Sequence, residues 1–299
     1  MVNGPQSAVP MSGSTQSRLR ELAPPAPGWQ GVLKLHFSQR QGETYLRQEQ
    51  LQAPLKIQRP FFPEGPGVCH CVVLHTAGGM VGGDRLTQSL TLDTQTQVLL
   101  TTAAATKVYA SEGHTATQGI QITIGPHACL EWLPQETIAF NGAYYRQTVQ
   151  VSLAAGACWL GWELTRMGRS ARGETFVTGD WRSHTEVWQG EVPLWVDRQW
   201  LPGSAVVCQS PHGLAGQPVV GTLVFVGQPV DQAVLDQLHP LATTLQIAGD
   251  TGISRLPQGL CCRYRGPAMT AAKAWFVAIW QVLRPWYLGR TIVIPRVWP

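Results

Sequence analysis

YYRQTVQVSL (residues 144–153) decides the fold: Tyr145, Val149, Val151 and Leu153 alternate with polar neighbours. Successive side chains of an extended strand point to opposite faces, so this period of two gives one buried face and one wet face. GIQITI (119–124) repeats it, with Ile120, Ile122 and Ile124 on one side. Outward from these, Trp29–Phe37 and Glu43–Leu51 flank a turn at Gln41-Gly42 and predict a strand pair. Val68–His75 reads as a buried strand, and Leu86–Leu92 and Gln97–Thr102 flank a polar turn at Asp93-Thr94. Ala157–Thr165, Thr175–Thr178, His184–Trp188 and Pro193–Val196 continue the series. Turn residues recur about every 8–12 positions, as in all-β domains.

Two stretches break the rhythm. Asp231–Leu245 reads as a helix with Asp231 at its N-cap. Ala268–Leu283 reads as a longer one: Pro267 stands at its entrance, Met269, Ala272, Phe276, Ile279 and Leu283 recur every three or four positions, and Pro285 and Gly289 end it. Residues 1–27, with Pro5, Pro10, Pro24, Pro25 and Pro27 among Ser, Gly and Gln, read as a disordered leader. The expected architecture is mainly β: a stacked-sheet, sandwich-like body with two α-helices towards the C-terminal part, in a single domain over residues 28–299.

Charged residues make up 13% of the 299 positions, about half the usual share of about 25%. Two readings fit. Gln, Thr and Ser replace charge on the surface, or part of the surface is covered by other proteins, since interface cores lack charge and favour aromatics; the chain has 12 Trp. The net charge is +4 and Lys occurs only at Lys34, Lys56, Lys107 and Lys273, without the dense basic stripe that nucleic acid requires. No run of 18 apolar residues offers a membrane span, and no apolar segment near the N-terminus offers a secretory signal. The seven Cys are odd in number and include no CxxC, which points to a reduced, cytoplasmic protein with free thiols.

The loop Gly78-Gly79-Met80-Val81-Gly82-Gly83-Asp84-Arg85 stands out. Its glycines imply unusual backbone angles or a second backbone packed close. Gly78 and Gly83 have the spacing of a phosphate-binding Walker loop, but Asp84 occupies the lysine position and a strand follows. A glycine corner presenting Asp84 is the better reading. On a strand, Cys69, Cys71 and His75 share one face; the two cysteines suit small buried hydrophobes, and His75, beside the glycine loop, is the weaker metal-ligand candidate. The segment 101–109 is rich in small and hydroxyl residues and carries Lys107 and Tyr109; it is either an ordinary loop or a packed turn presenting both. Glu136 lies in an apolar run and Glu174 follows Gly173. A buried carboxylate is costly unless it pairs or holds a cation; Arg146, Arg169 and Arg172 are possible partners. GxSxG and HExxH are absent, and no paired histidines suggest a catalytic metal.

Taken together, HTAGGMVGGDRL (75–86), TTAAATKVYAS (101–111), LEWLPQETIAF (130–140), MGRSARGE (167–174) and the tail LRPWYLGR…PRVW (283–298) resemble the UreD (UreH) family of urease accessory proteins, in that family's order. The family's first motif commonly carries prolines where this chain has Thr76-Ala77. The resemblance covers residues 29–299. It implies a β-rich body with two helices and a non-catalytic chaperone of urease maturation, serving GTP-dependent nickel insertion in a complex with UreF, the GTPase UreG and apo-urease. It implies no resident cofactor, only Ni²⁺ in transit through an internal tunnel, with Asp84, Glu136 and Glu174 as candidate wall residues by motif position. Trp275, Trp280 and Trp286 of the C-terminal helix are candidate partner contacts, against the alternative that the helix caps the β body. A passive adaptor bridging urease to UreF, and a stand-alone β-sandwich metal hydrolase, are the competing readings.

Overall fold

A computed structural model describes Met1, residues 28–169 and residues 172–298; apart from Met1, the expected leader lies outside the described residues. The strands are β1 Gln30–Arg40, β2 Glu43–Gln52, β3 Leu55–Ile57, β4 Val68–His75, β5 Arg85–Leu92, β6 Gln97–Thr102, β7 Thr106–Val108, β8 Ala116–Ile124 and β9 Cys129–Leu133. They continue as β10 Thr137–Ala139, β11 Tyr144–Leu153, β12 Cys158–Met167, β13 Asp180–Gln189, β14 Val192–Pro202, β15 Val219–Val226, β16 Asp250–Leu256 and β17 Gly259–Gly266. The helices are α1 Ala205–Gln209, α2 Gln232–Leu238, α3 Leu241–Thr244 and α4 Met269–Leu288.

Two sheets stack. The first has the order β14-β13-β11-β8-β5-β1-β2, and the second β16-β17-β15-β12-β9-β6-β4-β3, with β7 and β10 attached beside β12. From β4 to β13 the chain alternates between sheets. β5, β8, β11 and β13 run parallel in the first, and β4, β6, β9 and β12 run parallel in the second. Parallel neighbours need a long return connection, usually a helix. Here the return is a strand of the opposite sheet, so the body is a short β-solenoid. β1–β2 and β13–β14 close the first sheet with antiparallel pairs; β15–β17 extend the second antiparallel.

The period of two sets the packing. Leu35, Leu90, Ile122, Val151 and Val187 face one another across successive strands of the first sheet, each at most 2% exposed. Such side chains contribute about 1.5–3 kcal/mol apiece when buried. The outer face of this sheet carries Thr91, Gln121, Thr123, Gln150 and Ser152, all exposed. Uncharged polar residues therefore cover the surface where charge is scarce. The central strands of the second sheet are buried on both faces, by the first sheet and by α4, through Ala272, Trp275, Phe276, Ile279, Trp280 and Leu283, while edge strand β16 is mostly exposed. The central strands accordingly read as continuous apolar runs, as in VVGTLVFV.

The mainly β, stacked-sheet class agrees with the expectation, and the β1–β2 hairpin forms as read. Other details differ. Leu86–Leu92 and Gln97–Thr102 form strands as read, but in different sheets, the turn between them carrying the chain from one to the other. Thr175–Thr178 forms no strand. The helix expected over Asp231–Leu245 is two, because Pro240 opens α3 where α2 has ended. Asp231 makes no side-chain cap; its Oδ2 instead accepts from Trp286 Nε1 at 3.1 Å. Helix α4 continues through Pro285 to Leu288 and ends at left-handed Gly289, whose N–H reaches the Pro285 carbonyl at 3.1 Å. A proline in the last turn removes one backbone donor without breaking what precedes it.

Candidate functional site

The long connections from the second sheet to the first all lie at one end of the solenoid and stack on each other. They are the β4–β5, β6–β8, β9–β11 and β12–β13 segments, and they hold the four motifs HTAGGMVGGDRL, TTAAATKVYAS, LEWLPQETIAF and MGRSARGE. Backbone bonds join consecutive layers: Met80 N to Lys107 O (2.7 Å), Thr106 N to Glu136 O (2.9 Å), Phe140 N to Val108 O (3.0 Å) and Gly168 N to Ala139 O (2.7 Å). Small residues are needed for this approach. A Cβ on Gly79 would stand 2.5 Å from Tyr109 Cε2, and one on Gly82 would stand 2.5 Å from the His114 carbonyl oxygen. Tyr109 packs edge-on to Phe140 (5.0 Å), and the Arg169 guanidinium lies 4.4 Å over the Phe140 ring.

A narrow gap with a cavity volume of about 50 Å³, hereafter the passage, lies between the two sheets behind this stack, room for a few waters. At one end are Thr102, Thr106, Gln135 and Thr137; in the middle Gln118, Gln147, Trp159 and Glu163; at the β14 side Asp197 and Thr222. The Tyr145 hydroxyl stands 2.9 Å from Gln118 Oε1 and 3.1 Å from Gln147 Oε1. Trp159 Nε1 on the passage wall is buried without a hydrogen-bond partner, as is Thr165 Oγ1 outside the passage next to Glu163. Orphaned polar atoms along a polar gap are what ordered water satisfies.

Glu163 is the charged group inside. Ser183 Oγ donates to its Oε2 at 2.6 Å. Burial pushes its carboxyl up, with the Asp197 charge adding to the rise and the Ser183 bond opposing it, to about 7. The side chain retains some accessible area, but that area faces the passage, so desolvation dominates. Asp197 is clamped by Arg263, with Nη2 to Oδ1 at 2.7 Å and Nη1 to Oδ2 at 2.8 Å. Among the described residues, no Cys or His lines the passage.

The residues singled out from sequence fall in different places. Asp84, 3% exposed, accepts from the backbone N–H of Trp29 and of Val81, each at 2.8 Å. It pins the glycine corner and is not among the residues lining the passage. His75 is half-buried, and burial lowers its pKa against the pull of Asp84. Glu174 is gripped by Arg169, with Nε to Oε2 at 2.8 Å and a second bond from Nη2, and its Oε1 accepts from Asn141 N at 3.0 Å. Those bonds, the Arg169 contact first, hold its pKa below the usual value. Glu136 stands beside Gln135 at one end of the passage; its charge acts on Lys273, whose Nζ donates to Gln135 Oε1 at 2.8 Å. Gly78 accepts a long 3.4 Å bond from the Tyr109 hydroxyl, Gly83 precedes Asp84, and Lys107 is exposed. Trp275 and Trp280 are buried between α4 and the second sheet, at 1% and 0% exposure, and Trp286 is half-buried. The exposed apolar side chains lie elsewhere, as on edge strand β14 at Val192, Val196 and Trp200.

Sequence reasoning missed Glu163, Asp197 and a second buried group. Arg284, 0% exposed, binds Glu131 (Nε to Oε1, 2.9 Å) and Glu64 (Nη1 to Oε2, 2.7 Å). Glu64 also pairs with His70, and Glu131 accepts from Trp280 and Tyr287. Glu131 and Glu163 each stand alone in an apolar strand, the signal that singled out Glu136.

Residues 30–299 match the family model described as UreD urease accessory protein. A urease accessory protein UreD of Nostoc punctiforme is 57% identical over 273 residues, covering 91% of this chain and 97% of the relative. That of Thermosynechococcus vestitus is 49% identical over 273 residues, covering 91% and 99%, and that of Azoarcus sp. is 38% identical over 282 residues, covering 94% and 98%.

Proposed function

This chain belongs to the UreD family of urease accessory proteins, and from that premise we propose that it is a non-catalytic chaperone that passes nickel to apo-urease through the passage between its sheets. It works in the cytoplasm, in a complex with UreF and the GTPase UreG. The observation that carries this reading is Glu163 and Asp197 set in a narrow gap whose other walls are amides, hydroxyls, indoles and the apolar Pro134, Val149, Leu164 and Val224. Thiolate and imidazole cages hold first-row metals tightly. A conduit must release its cargo to the destination, so isolated carboxylates and water suit it, as in channels where binding permits both entry and exit.

Ni²⁺ is cargo here. It moves between waters and the oxygens of Gln118, Gln147, Glu163 and Asp197, while the stacked connections keep the walls fixed. GTP hydrolysis belongs to UreG in this reading: in this chain the loop with Walker-like spacing is a packed crossover whose Asp84 is taken up by backbone donors.

Glu163→Gln and Asp197→Asn, each assembled with UreF, UreG and apo-urease, test the proposal. The expected result is a complete complex, melting at pH 6 no lower than the native chain's, and nickel-poor urease. Full nickel content with both variants would sink the conduit and leave a bridging adaptor.

A further inference from the structure

At the β14 side of the passage, the carboxylate of Asp197 already holds a cation. Arg263 on β17 reaches across to Asp197 on β14 with both terminal nitrogens, and the same Nη1 donates to Thr222 Oγ1 on β15 at 2.7 Å. Gln199 Nε2 adds bonds to Asp197 Oδ2 (2.7 Å) and Thr222 Oγ1 (3.2 Å). Asp197 and Thr222 line the passage and Glu163 lies behind them. With Arg263 in place, both Asp197 oxygens are engaged and the charges of the pair cancel.

This pair differs from the buried Arg284 group in its exposure. The Arg284 side chain is 0% exposed, so separating it from its partners would strand charges in the core. The Arg263 side chain is 45% exposed while Asp197 is 12% exposed. Arg263 can turn into water with little loss of solvation, leaving Asp197 facing the passage. Arg263 is thus a half-exposed cation set against the more buried oxygens of Asp197 and Thr222.

We infer that Arg263 is the stopper at the β14 side of the passage, a tethered cation that occupies Asp197 until a divalent ion in transit displaces it. The inference rests on the transit reading above. Resting, the Arg263–Asp197 pair gives a passing cation no net charge to settle on. When the guanidinium swings out, Asp197 with Thr222 presents one carboxylate and one hydroxyl, hard oxygens suited to a divalent ion held weakly. Return of Arg263 expels the ion, so the gate limits dwell time and prevents the passage from becoming a store.

Ni²⁺ alone, titrated into the purified full-length chain by calorimetry, tests this. Arg263→Met keeps the stem and removes the charge; it should bind Ni²⁺ about tenfold more tightly than the native chain. Adding Asp197→Asn should return the affinity to the native level. Arg263→Lys keeps the charge but loses the two-pronged clamp, and should tighten binding about threefold. Arg263→Met binding no more tightly than native, or tightening that survives Asp197→Asn, overturns the gate. Should Arg263→Met fail to fold, Arg263→Lys decides alone: unchanged affinity overturns the gate. Nickel content of urease matured by Glu163→Gln judges the transit reading separately, because the titration reads only equilibrium binding by this chain.

Discussion

Arg284 and Glu131 lie 153 positions apart in the chain and 2.9 Å apart in the structure, where the guanidinium of the C-terminal helix enters the second sheet. Glu64 takes the other side of the same guanidinium. Removing one member of such a group leaves uncompensated charge in the core, which costs about 3–5 kcal/mol. Arg284→Met should therefore lose about that much in a urea titration and detach α4 from the sheet. Glu131→Gln should lose less, because its amide oxygen still accepts from Trp280 and Tyr287. A loss below about 1 kcal/mol for Arg284→Met would show the charges to be hydrated.

Glu64 gives the acid limit of stability. Burial alone would raise its carboxyl, but bonds from His70 and Arg284 outweigh that and bring it down to about 2. The unfolded chain binds this proton near pH 4.5 and the folded chain only near 2, so the stabilisation is complete above about 4.5. It is lost as pH falls towards 2, about 3 kcal/mol in all at 1.36 kcal/mol per unit. Denaturation midpoints measured from pH 6 to 2.5 should fall more steeply for the native chain than for Glu64→Gln. Parallel curves would rule the pairing out.

The stacked connections make the glycines unequal. Gly82→Ala forces a Cβ against the His114 carbonyl, a backbone atom that cannot turn away. Overpacking of this kind costs about 1–3 kcal/mol. Gly119 on β8 has ordinary backbone angles and open space around its Cβ position, so Gly119→Ala should be neutral or slightly stabilising. Equal melting temperatures for the two variants would contradict the close stacking.

The legible part of the fold follows from one asymmetry. The first sheet is wet on its outer face, so β11 and β8 alternate and their period of two shows in the sequence. The central strands of the second sheet are covered on both faces; GLCC in β17 and VVGTLVFV in β15 carry no period, and the region beyond residue 226 reads less clearly as strand. Alternation also cannot say whether neighbouring strands run parallel, so a polar turn at Asp93 reads alike as a hairpin or a change of sheet. At the site, the glycine corner was legible because its residues sit together. Asp197, Thr222 and Arg263 come from three strands, and only the stacking of the sheets brings them to one mouth. Trp275 and Trp280 at helical spacing fit a core and an exposed contact equally well until the second sheet is placed beneath them.

Glu163 should behave oppositely to Glu64. Desolvation in the passage, reinforced by the Asp197 charge and opposed by the Ser183 hydroxyl, raises its carboxyl to about 7 from 4.5. Between those values the folded chain holds a proton that the unfolded chain has released. Stability therefore falls as pH rises through this window, by about 3 kcal/mol when Glu163 is fully ionised. Glu163→Gln presents a neutral group of the same size that can still accept from Ser183. Its stability should match the native chain near pH 4 and exceed it by about 2–3 kcal/mol at pH 8, read from urea midpoints at both values. A carboxylate that destabilises its own fold at neutral pH is what a functional group in a polar passage looks like, because stability and function pull apart at such positions. If Glu163→Gln is no more stable than the native chain at pH 8, Glu163 is solvated or paired in the native protein. The passage is then an ordinary polar gap between two sheets.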